Sequence, residues 1–117
     1  MRKLGLACAV LSIASPAWAH AFLDHSSPAV GATVAPPKQV SIWFTEEVEP
    51  AFSRIEVMDG NGNRVDEGGT KIDAANHELL HTAVKPLSPG TYKVTWRVVS
   101  VDTHHTQGDF TFTVGGG

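Results

Sequence analysis

The chain has 117 residues, with nine Lys and Arg against twelve Asp and Glu, and a formal charge of −3. This length suits one domain, and an acidic domain lacks the basic surface that nucleic-acid binding requires. The single cysteine, Cys8, lies in the first segment of the chain, so the remainder has no thiolate for a metal site and no disulfide.

The first nineteen residues have the layout of a secretory signal peptide. A short basic start precedes an apolar run over residues 4–13, and the segment ends on Ala17-Trp18-Ala19, with small residues at both recognition positions. An uncleaved anchor is the alternative, but the apolar run is too short to span a bilayer. We predict cleavage after Ala19. The mature domain then covers residues 20–117, begins at His20 and has a formal charge of −5.

The mature chain alternates between apolar and polar residues in short stretches, which is typical of strands. No segment has the pattern of an amphipathic helix, and Asp59–Asn63 is a turn sequence that we expect to close a hairpin. We predict an all-β protein, an antiparallel β-sandwich or Greek-key barrel of about seven or more strands. The clearest predicted strands cover residues 20–25, 40–45, 52–58, 78–84, 92–98 and 108–114.

The strand over residues 92–98 is the most regular of these. Its apolar side chains share one face, which we expect to be buried. Tyr92 follows a Pro-Gly turn, and this arrangement is typical of the tyrosine corner of sandwich folds, in which the hydroxyl bonds to the backbone upstream. Trp96 and, on an earlier strand, Trp43 are therefore interpreted as core residues rather than as a platform for a ligand.

A carboxylate and two imidazoles lie close together in the segment that joins the last two predicted strands. In an extended backbone, Asp102 and His104 would point to the same side and His105 to the other. A carboxylate and an imidazole that converge on one point form half of a metal site. A polar loop without a metal is the alternative for this segment taken alone.

Signal cleavage would supply further donors at His20. Its free α-amine titrates near about 8 and can chelate a metal together with the ring nitrogen of the same residue. Nitrogen and oxygen donors in a planar set favour Cu(II), and Zn(II) could use the same residues tetrahedrally. In a sandwich, the first strand and the loop before the last strand can lie at the same end, which would bring His20 to Asp102 and His104.

In its motifs, this sequence resembles the CopC family of periplasmic copper-binding proteins. The resemblance covers nearly the whole mature chain in order, and the Tyr-x-Val-x-Trp-Arg run followed by Asp-x-His is its most specific part. The matching segments are His20 after Ala-Trp-Ala, Ser27-Pro28-Ala29 with Gly31, Phe44-Thr45-Glu46, Pro89 to Arg97, Ser100 to His104, and Gly108 with Phe110 to Val114.

The resemblance implies a cupredoxin-like or immunoglobulin-like fold in the periplasm and a copper carrier or buffer in copper homeostasis or resistance. It implies one Cu(II) per chain, held by the amine and ring of His20 with Asp102 and His104. Glu46 corresponds to an acidic residue that lies beside the copper in some members, and it is a weaker candidate. We expect a monomer that is not an enzyme, with copper as its ligand and an inner-membrane transporter of the CopD type as its partner.

Two departures from the family pattern refine these expectations. Some members have a second, Cu(I) site in a methionine-rich loop, but Met58 is the only methionine after the signal segment, so we expect no such site. His105 stands where a proline is common, and we expect it to face away from His104. The remaining histidines, His25, His77 and His81, are interpreted as surface residues.

An enzyme is the alternative function. Copper held by an N-terminal histidine and a second histidine resembles the histidine brace of copper monooxygenases. Against this alternative, Asp102 as a direct ligand would occupy the position that an oxygen co-substrate needs. The sequence therefore favours copper binding over oxidation chemistry.

Overall fold

The computed structural model describes residues 22–116, and it is a sandwich of two four-stranded sheets. The first sheet has the strand order β1-β3-β6-β5, and the second has the order β2-β8-β7-β4. The all-β sandwich predicted from the sequence is thus confirmed. The strands are β1 (Leu23–Ser27), β2 (Thr33–Val34), β3 (Gln39–Phe44), β4 (Arg54–Met58), β5 (Lys71–Ile72), β6 (Leu79–Ala83), β7 (Gly90–Val99) and β8 (His105–Val114).

The core lies between the two sheets and is built from alternate residues of the long strands. Every apolar face predicted from period-two alternation is buried, because each inward side chain packs against the opposite sheet. The Tyr92 hydroxyl donates to the Ser88 carbonyl at 2.6 Å, which confirms the predicted tyrosine corner. The buried apolar residues of β3, β7 and β8 are Val40, Ile42, Phe44, Tyr92, Val94, Trp96, Val98, Phe110, Phe112 and Val114.

The antiparallel pair β7–β8 forms the longest ladder and ends at the Asp102–His104 loop. Its register runs from Gly90 opposite Val114 to Val99 opposite His105. Within the ladder, Gly108 lies opposite Trp96, and a Cβ at this glycine would come within 2.6 Å of the indole ring. The absence of a side chain at Gly108 therefore allows the indole to pack over the partner strand.

The structure differs from the predicted strands at two boundaries and in two short strands. Phe52 lies in a 3-10 turn over Pro50–Phe52 and not in a strand, because Pro50 favours a turn and β4 begins only at Arg54. Strand β8 begins at His105, three residues earlier than predicted, because pairing with β7 extends it through polar residues. The two-residue strands β2, parallel to β8, and β5, antiparallel to β6, were not predicted.

Several predictions fall outside the described residues. These are the signal peptide over residues 1–19, its cleavage after Ala19, and the donors of His20. Between residues 22 and 116, no helix is long and apolar enough to cross a membrane.

The buried carboxylate of Asp66 binds the segment after the β4 turn to strand β4. The side chain of Asp66 is fully buried and accepts hydrogen bonds from the Val57 N–H at 2.8 Å and from the Arg64 guanidinium at 2.7 and 2.8 Å. Burial by itself raises the pKa of Asp66. The hydrogen bonds from Arg64, Val57 and Gly68, with the charge of Arg64, outweigh burial and hold the pKa below its ordinary value.

We expect Asp66→Asn to lower the free energy of unfolding at neutral pH by about 1–3 kcal/mol, because the substitution leaves buried hydrogen-bonding groups unsatisfied. The pKa of Asp66 is lower in the folded state, so its stabilisation is complete above the unfolded-state value of about 3.9 and is lost as pH falls through the folded-state value. Urea unfolding between about pH 3 and about pH 7 measures both effects. Glu67→Gln, which removes the same charge from an exposed neighbour, is the control, and an equal loss of acid sensitivity in the two variants would contradict the assignment.

Candidate metal centre

Asp102 and His104 lie in a tight turn at the end of the β7–β8 ladder. The Ser100 N–H donates to the His104 carbonyl at 2.9 Å, and the Thr103 N–H donates to the Ser100 carbonyl at 2.8 Å. Thr103 has a φ of 71°, the left-handed conformation that a three-residue hairpin loop requires at this position. This conformation is rare for a β-branched residue, so Thr103 adopts a strained backbone at the candidate site.

The two predicted ligands converge, although for a different reason from the one that the sequence suggested. Asp102 Oδ1 lies 3.2 Å from His104 Nδ1, so the carboxylate and the imidazole are in direct contact. The backbone between them turns, whereas the prediction assumed an extended segment with alternating side chains. The convergence itself, of one oxygen donor and one nitrogen donor, agrees with the expectation.

Ser100 organises this pair and was not identified from the sequence. It is fully buried, its hydroxyl donates to Asp102 Oδ1, and it accepts the His104 N–H at 3.3 Å. Serine and aspartate side chains often form local hydrogen bonds in turns, and their proximity in this segment was the one signal for the contact. Ser100 thus fixes the side chain of one candidate ligand and the backbone of the other.

The electrostatics of the loop keep the carboxylate ionised. The hydrogen bond from Ser100, followed by that from His104, holds the pKa of the Asp102 carboxyl below its ordinary value. The Asp102 side chain is 37% exposed and the His104 side chain 52% exposed, so both donors are accessible from solvent. An ionised carboxylate beside an accessible imidazole is a donor set that suits Cu(II) or Zn(II).

The segment after β3 connects this loop to the start of the described chain. The Val101 N–H donates to the Glu47 carbonyl at 3.1 Å, and Val48 forms a bridge with Ser100. Two residues before Glu47, the Thr45 N–H donates to the Phe22 carbonyl at 2.8 Å, and the Phe22 N–H donates to Thr45 Oγ1 at 3.0 Å. The chain therefore enters the sandwich at the end that carries the candidate ligands.

Glu46 lies within this connecting segment. It is half-buried, between Thr45 with its bonds to Phe22 and Glu47 with its bond to Val101. The backbone of Glu46 is therefore close to the loop that holds Asp102 and His104, and Glu46 stays the weaker candidate.

The remaining histidines of the described residues lie in three separate elements. His25 Nδ1 contacts Asp24 Oδ2 at 2.7 Å, and its ring stacks on Trp43 with 4.4 Å between ring centroids. The prediction that Trp43 is a core residue was wrong, because its side chain is half-buried on the outer face of the first sheet beneath the His25 ring, while Trp96 lies in the core as predicted. His77 is exposed in the loop before β6, where its carbonyl accepts the Val48 N–H at 3.1 Å, and His81 lies on β6 opposite Ser41. In the part of the chain that the structure describes, no three His, Cys, Asp or Glu side chains form a metal-binding group.

His105 and Met58 do not take part in the Asp102–His104 contact. His105 is the first residue of β8, opposite Val99, and lines a surface groove with Phe52 and Arg97. Met58 pairs with Lys93 near the beginning of β7, whereas the candidate ligands follow the end of that strand. Met58 is therefore not placed to join the donor pair, and the role of His105 as a bystander stays a prediction.

Comparison with known proteins gives a consistent result. The CopC domain family model matches residues 23–115. Protein YobA of Escherichia coli (strain K12) is 38% identical over 118 residues, which cover 97% of this chain and 95% of that protein. Copper resistance protein C of Xanthomonas campestris pv. juglandis is 38% identical over 104 residues, covering 84% of this chain and 82% of the relative. The crystal structure of CopC from Methylosinus trichosporium OB3b has a TM-score of 0.77 at 38% identity, and covers 83% of this chain and 95% of that one.

Proposed function

The chain belongs to the CopC family, and from this premise we propose that it is a periplasmic copper carrier or buffer with one Cu(II) site. The site is formed by the α-amine and ring of His20, exposed when the signal peptide is cleaved after Ala19, together with Asp102 and His104. Glu46 lies beside it as the weaker candidate. The names of two relatives, copper resistance protein C and CopC, support copper as the ligand.

The observation that carries this proposal is the contact between Asp102 and His104 at the end of the sandwich where the described chain begins. Phe22 is hydrogen-bonded to Thr45, and residues 45–48 are bonded in turn to the loop that holds the two ligands. His20 precedes Phe22 by two residues, which span at most about 7 Å when extended. The N-terminal donors are therefore within a short reach of this end of the molecule.

The donor set explains the choice of metal. Two nitrogens from His20, one from His104 and an oxygen from Asp102 make a four-donor set without sulfur, which favours Cu(II) over Cu(I). The only methionine after the signal segment lies elsewhere, so we propose no Cu(I) site. The single mononuclear site is consistent with a monomer.

The exposure of the loop favours transport over catalysis. Asp102 and His104 are accessible on a hairpin at the end of the sandwich, so a partner's ligands can approach the ion directly and exchange with them. We therefore propose a carrier that is not an enzyme, and an inner-membrane transporter of the CopD type as the protein that receives or supplies the copper.

An electron paramagnetic resonance spectrum of the processed protein with one equivalent of Cu(II) tests the proposal. We expect a single axial signal with hyperfine coupling from three nitrogens, saturating at one copper per chain. A second equivalent should give only the signal of loosely bound copper. A spectrum with one nitrogen, or two equal sites at saturation, would contradict the proposed ligand set.

A further inference from the structure

A groove of about 460 Å³ lies on the outer face of the second sheet, next to the hairpin that carries Asp102 and His104. We call it the arginine groove and define it by Phe52, Arg54, Arg97, Val99 and His105, which line it. Val99 is buried, while the other four side chains reach the surface. The groove thus has an apolar floor and a rim that is aromatic on one part and cationic on another.

The two arginines of the arginine groove lie close to each other, and their positive charges repel. Arg54 and Arg97 lie directly opposite each other on β4 and β7, and like charges in this register repel. Arg54 Nη1 is 3.5 Å from Glu56 Oε2, while Arg64, 3.6 Å from the same oxygen, is paired more closely with Asp66 at 2.7 Å. Within residues 22–116, no carboxylate forms an ion pair with Arg97. Among these residues, Arg97 is therefore the cation of this groove without a carboxylate partner, while Arg54 shares Glu56 with Arg64.

Phe52 adds an apolar contact beside these cations. It is 71% exposed, and the 3-10 turn anchors its backbone through the bond from its N–H to the Glu49 carbonyl at 3.1 Å. An exposed aromatic side chain beside arginines has the composition of an interface hot spot. A small anion would neutralise the arginines but leave Phe52 in water, whereas a peptide with both kinds of side chain would cover the whole groove.

We propose that the arginine groove docks a segment of a partner protein in which carboxylates alternate with apolar side chains. The carboxylates pair with Arg54 and Arg97, and an apolar side chain packs on Phe52 and Val99. His105 lines the groove and directly follows His104, so the docked segment lies against the loop of the candidate metal site. That this partner exchanges copper rests on the proposed function, but the docking does not.

Titration of the copper-free, ¹⁵N-labelled, processed protein with a capped hexapeptide of alternating glutamate and leucine tests the docking. We expect amide shifts to concentrate at Phe52, Arg54, Arg97 and His105. Arg97→Gln and Phe52→Ser should each weaken binding by about fivefold, the effect of losing one exposed ion pair or one apolar contact. Lys93→Gln is the matched control, because it removes a charge from the same strand and face outside the groove, and it should change affinity by less than about twofold.

Four outcomes would overturn the proposal. The first is equal weakening by Lys93→Gln and Arg97→Gln, which would indicate unspecific charge attraction. The second is equal binding of a peptide with glutamine in place of glutamate. The third is that succinate reproduces the shifts with the same affinity and is insensitive to Phe52→Ser, which would mean an adventitious anion only. The fourth is that vesicles of phosphatidylglycerol bind through Phe52 while the peptide does not. Because no copper is present, each of these results leaves the spectroscopic test of the metal site unaffected.

Discussion

A chain that keeps Ser15–Ala19 ahead of His20 should bind Cu(II) between about 10² and 10⁴ times more weakly than the processed chain. In the processed protein, the α-amine and the ring of His20 are two donors on one residue, so binding of the first places the second at high effective concentration. The retained residues convert the α-amine into a peptide nitrogen, and the chelate is lost. A competition titration against a chelator of known copper affinity measures the change.

The retained segment is five residues long so that its own terminal amine cannot chelate copper together with His20. A terminal amine one or two residues before a histidine can form a new chelate through the intervening amide nitrogens, and five residues avoid this. The control carries the same five residues after Gly117 and should bind copper as the processed chain does. If the N-terminal extension left the affinity unchanged, His20 would not act as an N-terminal chelate, and the proposed site would have to be rebuilt from other donors.

The long strands were predictable because apolar and polar residues alternate along them. Strand β7 was identified because apolar residues at every second position must face the core, and the Tyr92 bond to Ser88 was expected from the Pro-Gly turn before it. The beginning of β8 was missed because its first residues do not show this alternation. His105 to Gln107 lack an apolar alternation, and only their pairing with β7 makes them a strand.

The candidate ligands were predictable as residue types but not as geometry. Asp102 and His104 were selected because a carboxylate and an imidazole stood close together in sequence, and the structure places them in contact. The contact depends on a left-handed Thr103 and on the buried hydroxyl of Ser100, and neither is encoded in a local periodicity. The link from Phe22 through Thr45 to the loop is equally non-local, because it joins residues from three separate parts of the chain.

His104→Ala should lower the Cu(II) affinity at least about 100-fold, while His105→Ala should change it by less than about twofold. Substitution of residues that merely orient metal ligands costs about 10 to 100-fold, so the loss of a direct ligand should exceed that range. His104 contacts Asp102 at 3.2 Å, whereas His105 pairs with Val99 and lines the arginine groove on the outer face of the sheet. The two neighbouring imidazoles therefore have different roles although their chemistry is identical.

Comparison of His104→Ala with His105→Ala distinguishes a loss of copper binding from a loss of folding stability. Both histidines are exposed, so the unfolding midpoint of the copper-free protein should be nearly the same in the two variants. The nitrogen count in the Cu(II) spectrum should fall by one in His104→Ala alone. A larger loss of affinity in His105→Ala would mean that β8 begins later than residue 105 and that the turn presents the second imidazole instead. Equal, small losses in both variants would remove the Asp102–His104 loop from the copper site altogether.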